Sequence, residues 1–137
     1  MGRSALKVAV DTNVLVRSAV RDDERQARIA DEILRAAVVV AVSLPCLCEF
    51  VWVLGKIYGF DRAEIVRAVE SLCGAPNIST DLPALEAGLA VLKAGGDFAD
   101  GVIAHQGSWL GGETFVSFDK KAVSMIAKQG RKTGLLA

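Results

Sequence analysis

Asp11, Glu49, Asp100 and Asp119 each stand in a short apolar frame: VAVDTNVLV, PCLCEFVWVL, GGDFADGVIAH and TFVSFDKKAV. A carboxylate among apolar neighbours is costly unless a cation compensates it. Asp11 interrupts a run that otherwise reads as one buried strand, and Glu49 falls inside the most apolar helix candidate of the chain. Four oxygen ligands without a His cluster suit a hard cation, Mg²⁺ with Mn²⁺ as its substitute, rather than Zn²⁺. Zinc is further disfavoured by the single His and by Cys46, Cys48 and Cys73, which offer no second thiol pair at ligand spacing. The three cysteines read as reduced, buried thiols. A plainer use exists for some of the acids, since Asp is a frequent helix N-cap. That alternative stands for Asp11 and Asp119, and it is the favoured one for Asp97. For Glu49, on an apolar helix, it is harder to find.

The elements that must carry these acids follow from periodicity and punctuation. Residues 7–10 read as a short β-branched strand ending at Asp11, and Thr12 to about Arg21 as a helix capped by Asp11 or Thr12. Arg25 to Ala36 has helical spacing of Ala27, Ile29, Ala30, Ile33 and Leu34. Val38 to Ser43 reads as a parallel strand buried on both faces. A helix over Leu44–Tyr58 carries Phe50, Trp52 and Leu54, with Pro45 tolerable in its first turn. Asp61 caps a helix to about Cys73, and Ile78–Thr80 forms an edge strand. Asp81 caps a helix to about Ala94, and a new helix begins near Asp97. Thr114–Ser117 is a strand, Asp119–Gln129 a helix and Thr133–Ala137 a last strand. Strands alternating with helices predict one α/β domain over residues 1–137, built on a mostly parallel sheet. Ligands of such sheets bind beyond the carboxyl ends of the strands. Asp11 and Asp119 follow strands closely, Glu49 hangs from the helix after the second strand, and Asp97 and Asp100 share a helix face. The expectation is that the acids converge in one hollow.

Composition bounds the rest. The hydrophobic fraction of 52% over 137 residues is ample for one core, and 16 basic residues balance 16 acidic ones. A neutral chain does not advertise a polyelectrolyte partner, although a local patch can steer one. Arg17, Arg21 and Arg25 are candidate phosphate contacts, with solvated helix faces as the alternative. His105 reads as a surface or core residue rather than a catalytic base. The first ten residues lack a signal-peptide pattern, Leu6 stands where a myristoylation start wants Ser or Thr, and the longest apolar stretch is too short to span a bilayer. A cytoplasmic protein without a membrane association is expected.

These four motifs, in this order and spacing, resemble the PIN-domain nucleases, particularly the small VapC-type toxins of toxin–antitoxin pairs, over almost the whole chain. The resemblance implies an α/β/α sandwich and Mg²⁺-dependent cleavage of single-stranded or structured RNA by Asp11, Glu49, Asp100 and Asp119. Asp11 and Asp100 hold the metal directly, with Asn13, Ser117 and Asp97 as supporting polar residues. A cognate antitoxin and a symmetric homodimer are its implied partners. Gly101 departs from the family's more usual Ala and is expected to loosen the helix start beside Asp100, and no strongly basic stretch carries over a substrate. A PIN nuclease of RNA processing, outside any toxin system, is an alternative. A phosphoacceptor receiver domain is the rival from another class, but it requires paired acids after the first strand, where this chain has Thr12 and Asn13. A haloacid-dehalogenase phosphatase requires Asp in place of Asn13. An inactive binding module is disfavoured by the intact acidic set.

Overall fold

A computed structural model describes residues 6–137. The start considered above for a leader or acyl anchor falls largely at residues 1–5, outside the described residues. Seven helices and five strands are present among the described residues, and every strand pairing is parallel. The chain divides into two compact units, one ending at Thr80 and the other running Asp81–Ala137.

The first unit runs β1 (Lys7–Ala9), α1 (Thr12–Val20), α2 (Glu24–Ala36), β2 (Val39–Ala41), α3 (Leu44–Lys56), α4 (Arg62–Cys73) and β3 (Ile78–Ser79). The strands form a sheet ordered β1-β2-β3, with Val8 opposite Val40 and Val40 opposite Ile78. Each helix starts where a side-chain oxygen satisfies otherwise orphaned backbone N–H groups: Asp11, Asp23, Ser43 and Asp61 are the N-caps. Asp61 and Glu64 complete a reciprocal capping box. The expected strand over Val38–Ser43 is shorter than predicted. Only Val40 and Val42 are fully buried, while Val38 is exposed. Leu47, Phe50 and Leu54 form the buried stripe of α3, each contributing about 1.5–3 kcal/mol by leaving water. Asn77 clamps the C-terminal end of α2, its amide donating to Leu34 O at 2.7 Å and Ala37 O at 2.9 Å.

The second unit runs α5 (Leu82–Lys93), α6 (Phe98–Trp109), β4 (Thr114–Ser117), α7 (Lys120–Lys128) and β5 (Lys132–Leu135). Asp81, Asp97 and Asp119 cap its three helices. β4 and β5 form their own two-stranded sheet, Phe115 opposite Thr133, so the strands fall into two parallel sheets rather than one. Val91, Ala104 and Ile126 form a buried cluster with Phe115 and Met125 against it. α5 and α6 touch through glycines. A Cβ on Gly101 would lie 2.4 Å from Ala87 O, and one on Gly88 would lie 2.8 Å from the Phe98 ring. Gly101 therefore does not loosen α6 as expected; it permits the close packing that fixes α6 against α5. No helix among the described residues is long and apolar enough to cross a membrane.

Candidate functional site

In the first unit, Asp11 stands two residues beyond β1, at the carboxyl edge of the sheet. Its Oδ1 accepts from Asn13 N at 2.9 Å, so the N-cap use is real, and it occupies one carboxylate oxygen. The next residue, Thr12, is only 9% exposed because it shares the buried face of α1 with Leu15 and Val16. Its Oγ1 donates to Glu49 Oε1 on α3 and lies 3.8 Å from Cys46 Sγ. Glu49 is exposed rather than buried. The inward stripe of α3 is Cys46, Leu47, Phe50, Val51 and Leu54, which leaves Glu49 on the outer side with Trp52. Burial pushes the Cys46 thiol up, the Thr12 hydrogen bond opposes this, and the charges of Asp11 and Glu49 push it up further. Both acids thus act on one small region, tied together by Thr12. Thr12 is thus more than a possible cap, and its spacing from Leu15 and Val16 is the sequence signal that turns it inward.

In the second unit, Asp97 caps α6 through Oδ1, accepting from Ala99 N at 3.1 Å, and Asp100 lies in the first turn. Burial raises the Asp100 carboxyl above its ordinary value, and the charges of Asp97 and Asp119 raise it further. Asp119 follows β4 by two residues. Its Oδ1 accepts from Lys121 N at 2.9 Å and Ala122 N at 3.2 Å, while its own N donates to Ser117 Oγ at 3.0 Å. Ser117 thereby fixes the turn that presents Asp119.

The ion pairs of Arg17 with Asp22 and of Arg21 with Glu24 and Asp31 include none of the four acids or Asp97. Among the described residues, no group of three or more His, Cys, Asp or Glu side chains forms a metal-holding cluster. The donors nevertheless suit a hard divalent cation. They are carboxylate oxygens with no ion-pair partner among the described residues, and at Asp100 repulsion from like charges is something a cation would relieve.

The candidate phosphate contacts differ among themselves. Arg17 is occupied: Nε donates to Gln26 Oε1 at 2.7 Å, and NH1 reaches Asp22 Oδ1 at 3.1 Å and Tyr58 Oη at 3.4 Å. Arg21, at a left-handed φ of 60° after α1, is likewise held by Asp31 and Glu24. Arg25 is exposed. His105 is half-buried, with Nδ1 at 3.1 Å from an Arg131 nitrogen, and it belongs to none of the acidic groups. No disulfide joins the three cysteines; Cys46 is buried as expected, Cys48 and Cys73 are only half-buried, and burial pushes the Cys73 thiol up to about 11.

No curated protein matches the chain. The family model of the PIN domain matches residues 8–128, a span that includes all four acids, and the parallel α/β architecture is consistent with that α/β/α fold. The chain belongs to the PIN domain family, whose members are in general nucleases that use divalent metal ions.

Proposed function

We propose that this chain is a metal-dependent endoribonuclease, a toxin of the VapC type, cleaving single-stranded or structured RNA with Asp11, Glu49, Asp100 and Asp119. The observation that carries the reading is the setting of Asp100, a half-buried carboxyl raised by burial and by two further acids, with no ion pair among the described residues to offset them. Asp11 and Asp100 would hold Mg²⁺ or Mn²⁺ directly. Such an ion supplies an activated water and neutralises charge on the phosphate under attack. The chain's own groups set the geometry: Thr12 holds Glu49, Ser117 fixes the turn at Asp119, and the Asn13 N–H orients the Asp11 carboxylate. Hydrolysis would bond the water oxygen to phosphorus and break a phosphodiester P–O bond; one of the four carboxylates would take up the water's proton, and the departing ribose oxygen would take one from solvent.

Inhibition by a small cognate antitoxin fits the same chemistry. An Arg offers a planar fork that pairs bidentately with carboxylates, and it can take the place of the cation's charge. A cavity of about 190 Å³ lined by Asn13, Val14, Arg17, Gln26, Ile29 and Ala30 lies beside the Asp11 turn and suits an apolar side chain of such a partner. A homodimer is also proposed. On α3, Phe50 and Leu54 are core, while Trp52, 57% exposed, is available for such an interface.

The test is an RNase assay on purified chain with single-stranded RNA. Cleavage should need Mg²⁺ or Mn²⁺, vanish in Asp11→Asn, and stop on adding the product of the neighbouring reading frame. Cleavage at wild-type rate by Asp11→Asn, or in excess chelator, overturns the metal-site assignment, and no cleavage by the wild type with either ion overturns the nuclease reading. A stable complex that still cleaves at the free rate overturns the inhibition. Light scattering at micromolar concentration decides the dimer.

A further inference from the structure

Arg131, immediately before β5, is held by neutral partners. Its NH1 donates to Ser108 Oγ at 3.2 Å and its NH2 lies 3.1 Å from His105 Nδ1. A guanidinium has only donors, so Nδ1 accepts, and the neutral ring carries its proton on Nε2. That Nε2 is buried and has no hydrogen-bond partner among the described residues. The Ser108 hydroxyl donates to His105 O at 2.8 Å, which turns its lone pairs toward Arg131. The imidazole and the hydroxyl thus fix the guanidinium plane without returning any negative charge. No ion pair among the described residues includes Arg131. Two of its donors are used and the others stay open.

Arg131 lines a cavity of about 270 Å³, together with Ser108, Gly112, Gly130 and Lys132. Lys132 adds a second cation, and the two glycines put no side chain into the space. Glu113 is the one acid of the lining, and it is exposed. The volume is close to the lower end of small-ligand pockets. Lys132 opens β5, Arg131 immediately precedes it, and Glu113 immediately precedes β4. Asp119 follows the opposite end of β4, roughly 10 Å away along a four-residue strand. The cavity is therefore separate from the acidic edge of its own unit.

We propose that this cavity binds a phosphate group, gripped by the guanidinium fork of Arg131 with Lys132 and the Ser108 hydroxyl alongside. The phosphate is that of a small phosphorylated molecule or of an RNA strand, and the chemistry of the grip is the same for both. The proposal does not rest on the nuclease reading. The experiment is a titration of the ¹⁵N-labelled chain with inorganic phosphate, in chelator and at constant ionic strength. Backbone signals of Ser108, Gly112 and Gly130 should move saturably. Arg131→Gln should weaken binding by roughly tenfold or more, while Asp119→Asn leaves it unchanged. Lys132→Gln, at an exposed position, serves if Arg131→Gln does not fold, and should weaken binding by a smaller factor. A short oligoribonucleotide that displaces phosphate, with a salt dependence shallower in the Arg131 or Lys132 variant, assigns the group to RNA. Phosphate binding that the oligonucleotide leaves untouched assigns it to a small molecule. No saturable shift, or equal shifts in wild type and both variants, overturns the proposal.

Discussion

Glu49 is exposed and its carboxylate is tied down by a threonine hydroxyl, whereas Asp100 is half-buried and its nearest electrostatic company is two more acids. The first unit's pair is positioned in advance by hydrogen bonds: Asp11 by Asn13 N, Glu49 by Thr12. In the second unit Asp97 and Asp119 accept from backbone N–H groups, but Asp100 is positioned by packing, through Gly101 against Ala87, and its like-charged neighbours repel it. One region is organised without a cation; the other is held in a state that a cation would improve. Mutations and metal should therefore act unequally on the two.

The largest effect is expected on catalysis from either region. Asn is as good an N-cap as Asp, so Asp11→Asn and Asp119→Asn should keep their helices. Each should still lose RNA cleavage by more than the roughly 10–100-fold that outer-sphere partners of a metal command. Cleavage within tenfold of wild type in both would dissolve the parallel between the regions. Next comes metal linkage. Saturating Mn²⁺ should stabilise the fold by about 2.7 kcal/mol at 100 times its Kd, and Asp100→Ala should remove that gain. A melting temperature indifferent to Mn²⁺ contradicts it.

Gly101→Ala should be felt only by packing. The added methyl meets a backbone carbonyl, and overpacking of this kind costs about 1–3 kcal/mol, seen as a lower melting temperature. An unchanged melting point would mean that α5 and α6 separate freely. Thr12→Val should disturb only the first region, leaving Glu49 without its donor and slowing cleavage by roughly tenfold. Thr12→Ser should restore most of it. Equal rates in Thr12→Val and wild type would show that Glu49 needs no tether.

The smallest effect concerns pH. The Asp100 carboxyl is raised in the folded chain, so the folded state holds that proton more tightly than the unfolded state does. Metal-free stability should accordingly fall as pH rises from the ordinary carboxylate range through the raised value. Asp100→Ala should flatten this slope. Denaturant melts at several pH values in chelator decide it, and an unchanged slope rules out Asp100 as its source.

Helix starts were readable in the chain because their caps are local. Asp61, Asp81, Asp97 and Asp119 each announce a helix that begins at the next residue. The acids were readable because a charge among apolar residues is conspicuous. Their surroundings were not. The Thr12–Glu49 bond joins residues 37 apart, and the Asn77 clamp reaches back 40 and 43 residues. Glu49's exposure depends on how α3 turns its stripe, which an all-round apolar helix does not reveal. The separation of the strands into two sheets is likewise a tertiary matter that strand propensity does not encode.

Gly101 carries one more consequence, and it is one of shelf life. Because Ala87 O leaves no room for a side chain there, Asp100 is obliged to precede a glycine. Replacing Asp100 with its amide isostere creates Asn–Gly, the dipeptide whose side-chain amide is most readily lost when the following backbone nitrogen attacks it. The resulting succinimide opens to aspartate or to isoaspartate. A stored sample of Asp100→Asn would then drift back toward the parent chain, and activity that grows with age would be reversion rather than residual catalysis. Intact-mass spectra of fresh and aged protein separate the two, and Asp100→Ala is immune to the drift.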